Sequence, residues 1–153
     1  MSPFNPRNFH SIKYFQNGYK DQIMRINSYC KERGFKLVLI KQAFFIDLDM
    51  QKNINSLSKE EIIDKLINYN KEKEYSNVKN LFWMYTNAIL NKNLDEVAAE
   101  DDNITLVDPT KSLYAKNKLD FFQKDGLHLN LEGNQVIANK ILESLISKQL
   151  IKK

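Results

Sequence analysis

A single cysteine, Cys30, in a chain of 153 residues leaves no internal disulfide to be made. It falls on the apolar side of a predicted helix, where a buried structural thiol is expected rather than a nucleophile. Two histidines, His10 and His128, cannot furnish a His-rich metal site, and neither Asp47-x-Asp49 nor Asp101-Asp102 has the spacing of a calcium loop. No metal and no cofactor is therefore expected. Arginine is scarce as well: only Arg7, Arg25 and Arg33 stand among 23 basic residues, and the lysines are spread along the whole chain. Arginine is the side chain that grips phosphates and base edges in a bidentate fork, so the net charge of +4 reads as solvated lysine rather than as a nucleic-acid surface. No apolar run approaches the roughly 20 residues that cross a bilayer, so no membrane span is expected. The first residues, Met1 to Arg7, lack the apolar stretch of a signal peptide. Localisation stays open, and would be cytoplasmic were Met1 the true start.

What is present is enough for a core, with 42% hydrophobic residues and charges interspersed throughout. After an irregular lead-in over residues 1–13, Tyr19, Ile23, Ile26 and Tyr29 recur at helical spacing in a helix from about Tyr14 to Arg33, stopped by Gly34. The apolar run Phe35 to Ile40 then reads as a buried parallel strand over about 36–41. Phe44 to Met50 reads as an apolar loop, and residues 44–77 as a lid, an insert or a satellite core. Within them Ser58-Lys59-Glu60-Glu61 is a capping box for a helix carrying Ile62, Ile63, Leu66 and Ile67. A helix from about Val78 to Glu100 follows, with Leu81, Tyr85, Ala88, Leu94, Val97 and Ala98 toward the core and Asn91-Lys92-Asn93 loosening its middle. Ile104 to Asp108 is the second strand, a loop runs to Leu129, and the last helix spans about Leu131 to Lys148 on a stripe of Ile137, Ile141 and Leu145.

Strands alternating with long helices predict an α/β fold with parallel strands in one domain over residues 1–153. Two strands are few for a sheet meant to be buried on both faces. The architecture expected is an incomplete three-layer α/β/α sandwich.

The chemistry concentrates in Phe121-Phe122-Gln123-Lys124-Asp125-Gly126-Leu127-His128-Leu129-Asn130-Leu131-Glu132-Gly133-Asn134. Acyl transfer needs an imidazole base whose second ring nitrogen is held by a carboxylate. Gly126 allows a tight turn between Asp125 and His128, and Asn130 is a good N-cap for the helix after it. A turn there can bring both side chains to one face, in the loop beyond the sheet where open α/β sheets bind ligands.

This stretch resembles the last block of the SGNH (GDSL-type) serine hydrolases, an Asp-x-x-His followed by Leu and by a Gly-Asn at the opening of the final helix. Gly34 to Ile40 and Ile104 to Asp108 resemble strands of the same flavodoxin-like fold, so the resemblance runs from about Phe15 to Leu145. Its specific part is Asp125 to Asn134. It implies an esterase or acyl hydrolase acting on a small ester, with His128 as general base and Asp125 supporting it.

The resemblance is incomplete. No glycine is followed by Asp, no Gly-x-Ser-x-Gly elbow occurs, and no Asn precedes an Asp, so the nucleophile and oxyanion blocks are absent. None of the nine serines has the context of a nucleophile. The chain thus reads as a fragment of a longer enzyme, as one half of a split enzyme completed by an N-terminal segment or by self-association, or as a non-catalytic binding module; the first is favoured. Losing the nucleophile of a triad costs about 10⁶-fold in turnover, so the chain alone is expected to be nearly inert.

Overall fold

The computed structural model of the chain describes residues 17–43, 53–54, 56–69, 78–114, 121–123 and 128–151. In chain order the elements are α1 (Tyr19–Glu32), β1 (Leu37–Ile40), α2 (Lys59–Tyr69), α3 (Val78–Glu100), β2 (Ile104–Val107), α4 (Thr110–Tyr114) and α5 (Leu131–Ser147). The apolar loop expected over Phe44 to Met50 lies outside the described residues, as do the side chains of Ile67 and Leu81.

Local chemistry accounts for the helix ends. Gly34 has φ +70°, a conformation glycine adopts without penalty. It lets the Phe35 amide reach Cys30 O at 2.9 Å and the Gly34 amide reach Lys31 O at 3.0 Å, which closes α1 and turns the chain directly into β1. At the start of α2 the capping box forms in both directions: the Glu61 amide donates to Ser58 Oγ at 3.1 Å, and the Ser58 amide donates to Glu61 Oε2 at 2.6 Å.

β1 and β2 pair in parallel, with Leu37 opposite Ile104 and Ile40 opposite Val107. Alternation along the strands puts Leu37, Leu39, Ile104 and Leu106 on one face. There they meet Ile23 of α1 and Leu94 and Val97 of α3. Thr105 and Val107 turn to the other face and are buried, and α5 approaches β2. The protein is thus a mixed α/β chain, mostly helical, built around a small parallel sheet.

α3 is apolar on more than one side because it serves two clusters. Its first half, through Met84, Ala88 and Ile89, packs on Ile62, Ile63 and Leu66 of α2, while its last turns pack on α1 and the sheet. The expected loosening at Asn91 to Asn93 does not occur. Asn93 is buried, and Asn91 bonds outward: its Oδ1 accepts from the Gln42 amide at 3.2 Å and its Nδ2 donates to Gln42 O at 2.9 Å. That side-chain amide imitates a strand partner for the chain leaving β1.

Three further expectations are corrected. Ile26 and Tyr29 are more than half exposed, because the inward arc of α1 is centred on Ile23 and Asn27 instead. The Arg33 guanidinium stacks on the exposed Tyr29 ring, 3.5 Å from its centroid. The thiol of Cys30 is half-buried rather than buried. The loop expected after β2 contains α4, whose start is set by Asp108 accepting from the Thr110 amide at 3.0 Å, with Pro109 between them.

Asn27, at 1% exposure, anchors the amino ends of the strands. It donates to Asp101 Oδ2 at 2.8 Å and accepts from Asn103 Nδ2 at 2.8 Å. Asn103 also donates to Phe35 O at 3.0 Å, and Lys31 Nζ lies 2.6 Å from Asp101.

Candidate functional site

Parallel strands direct their carboxyl ends to the same side, and the residues just beyond those ends form the natural site. Lys41 follows β1 and Asp108 follows β2. Lys41 Nζ lies 2.7 Å from Asp95 of α3 and 3.1 Å from Asp108, so one ammonium ties both strand ends to the helix beneath. Burial pulls the Lys41 pKa down, but the hydrogen bonds with Asp95 and Asp108 outweigh it and leave the group above the ordinary lysine value. Burial likewise pushes Asp108 up, yet the Thr110 hydroxyl, Lys41 and the Thr110 amide together hold its carboxyl below the usual range. Both groups remain charged around neutrality, which suits a structural clamp and not a lysine nucleophile.

The same end of the sheet carries the sequence block singled out above. Phe121 and Phe122 are buried against Ala43, just beyond β1, and Leu113 on α4, just beyond β2. Phe122 bridges Leu129 in antiparallel fashion. The Gln123 amide donates to His128 O at 2.7 Å and the Asn130 amide to Phe121 O at 2.9 Å, which closes a small hairpin. The side chain of His128 is exposed. The hairpin that carries His128 packs through Phe121, Phe122 and Leu129 on Ala43 and Leu113, while Asp125 and Gly126 lie outside the described residues.

The hairpin runs straight into α5. Asn130 is extended, with φ −80° and ψ −173°, and its Oδ1 accepts from the Gly133 amide at 2.9 Å, the N-cap expected from the sequence. Gly133 is the buried residue of α5.

Among the described serines, several are engaged with nearby backbone. Ser28 Oγ donates to Met24 O, Ser56 Oγ to Asn53 O and Ser147 Oγ to Ser144 O, while Ser58 caps α2. Among the described residues no three His, Cys, Asp or Glu side chains converge as metal ligands, and no helix is long and apolar enough to cross a membrane. No protein-family model, no curated protein and no solved structure matches this chain.

Proposed function

We propose that this chain is the carboxyl-terminal part of an SGNH-type serine esterase, an incomplete α/β/α sandwich whose nucleophile comes from a separate segment. The observation that carries this reading is the seating of the His128 hairpin on Ala43 and Leu113, beyond the carboxyl ends of two parallel strands and just before an Asn-capped helix. In the reaction, a serine Oγ attacks the ester carbonyl while His128 takes its proton. Collapse of the tetrahedral intermediate expels the alcohol, which receives that proton from the imidazolium, and water then releases the acid by the same route in reverse. Asp125 holds the ring in the required tautomer.

The partner in this reading is a strand that adds to β1. Leu37 and Lys41 donate to Asn103 O and Val107 O at 3.1 and 3.0 Å, so the odd-numbered residues face β2. The N–H and C=O groups of Val38 and Ile40 point to the opposite edge, which pairs with no strand among the described residues. Ile40 is 41% exposed there, and the strand carries neither proline nor charge to guard it.

The alternative, a non-catalytic binding module, draws support from Ile26, Tyr29 and Phe35, all more than half exposed. The two readings separate in one assay. Hydrolysis of a short-chain aryl ester is measured with the chain alone and with an added polypeptide carrying Gly-Asp-Ser and oxyanion-Asn strands. The esterase reading expects no turnover alone and turnover on addition that His128→Ala removes. No turnover in the mixture, despite complex formation, leaves the binding module. Turnover by the chain alone would reveal a nucleophile within it.

A further inference from the structure

We infer that Gly133 is the positioning residue for His128, an inference that rests on the base role proposed above. A first-turn glycine in a helix costs up to about 1 kcal/mol relative to alanine, so its presence calls for a reason of space. That reason is visible. A Cβ at position 133 would run into the carbonyl oxygen of Phe121 and would stand 2.8 Å from Leu129 Cδ2 and 3.1 Å from Leu129 Cβ.

Those two neighbours belong to the two arms of the hairpin. Phe121 begins the first arm, and Leu129 directly follows His128 in the second. The Phe121 oxygen that blocks a Cβ is the same atom that accepts from the Asn130 amide, and Asn130 in turn accepts from the Gly133 amide. The first turn of α5 therefore rests on the bond that closes the hairpin, at a spacing only a residue without a side chain permits. Adding a methyl group separates helix and hairpin by on the order of 1 Å, the difference between these distances and ordinary carbon contact. A shift of that size at a catalytic base is worth about 10²-fold in rate. Gly133 touches no reacting atom; it acts through the backbone on either side of His128.

The test is the ring of His128 seen by long-range ¹H–¹⁵N NMR in the full chain. A His10→Gln background removes the other histidine. Gly133→Ala is expected to keep the far-UV CD spectrum and the amide pattern of α1 and α3 while moving the ring signals and changing the tautomer ratio. In the complemented enzyme kcat should fall about 10²-fold with KM within twofold. Unchanged ring signals in a folded Gly133→Ala protein overturn the inference. If that variant does not fold, Asn130→Ala removes the Gly133 amide's acceptor without adding bulk; ring signals that move support the inference and ring signals that stay overturn it. Asp125→Asn is a separate arm: if it leaves the ring unchanged, the supporting-carboxylate reading fails while the Gly133 result stands by itself.

Discussion

Replacing Asn27 by alanine tests whether a buried amide, and not an apolar contact, fixes α1 against the strands. Asn27 is nearly inaccessible and makes two side-chain hydrogen bonds, to Asp101 and from Asn103. Each such bond contributes about 1 kcal/mol net, and the small cavity left by truncating a fully buried side chain adds up to about 1 kcal/mol. The expected loss is therefore about 2–3 kcal/mol. For a chain of 153 residues that corresponds to a fall in Tm of roughly 5–10 °C. Urea unfolding followed by far-UV CD reads it as a lower midpoint at unchanged slope. Because Asn103 shares the bond, Asn103→Ala and the double variant should be non-additive by at least about 0.5 kcal/mol. A loss below about 0.5 kcal/mol for Asn27→Ala, the behaviour of a surface residue, would refute the anchor.

Gln149 carries φ 56° at the end of α5, where the Leu150 amide reaches Leu145 O at 2.9 Å. Gln149→Gly is expected to stabilise the protein by about 0.5–1 kcal/mol, read by the same unfolding curves; no gain would mean that the final turn contributes nothing to global stability. The Lys41 clamp sets a pH window. Asp108 has a lowered pKa, so its contribution is present above the unfolded value of about 3.9 and is lost as pH falls through the folded one. Lys41 has a raised pKa, so its contribution is present below about 10.4 and is lost as pH rises through the folded value. Stability measured from pH 3 to 7 should fall on the acid side less steeply in Asp108→Asn than in the parent chain, and equal slopes would refute the clamp.

Much of the frame is legible from local chemistry. Gly34 marks the end of α1, Ser58 and Glu61 the start of α2, and Asn130 the start of α5, because each device is complete within a few neighbouring residues. The two parallel strands are legible from their apolar runs, but the burial expected of the first is not found: β1 is half-buried at Leu37 to Leu39 and exposed at Ile40. The burial of α1 is not, because its inward arc is chosen by partners 74 and 76 positions away, Asp101 and Asn103. The Asp108-Pro109-Thr110 start of α4 was a readable signal, an N-cap followed by proline, masked by its service as the end of a strand. At the site, the hairpin that carries His128 depends on Ala43 and Leu113, which no spacing rule links to Phe121. The reason for Gly133 is a backbone contact with Phe121 and has no sequence signature beyond the glycine itself.

The pairing of Asn91 with Gln42 works as a length stop. Gln42 follows Val38 and Ile40 in the alternation, so its backbone would be the next rung offered to an incoming strand. Both of its polar groups are already taken by one side chain from α3. A strand adding to β1, as proposed above, would find its last free rung at Ile40. Cutting Asn91 back to alanine would open the Gln42 rung, so that such a strand could pair about 6–7 Å further along β1. In that reading a helix amide limits how far along β1 a complementing strand can pair.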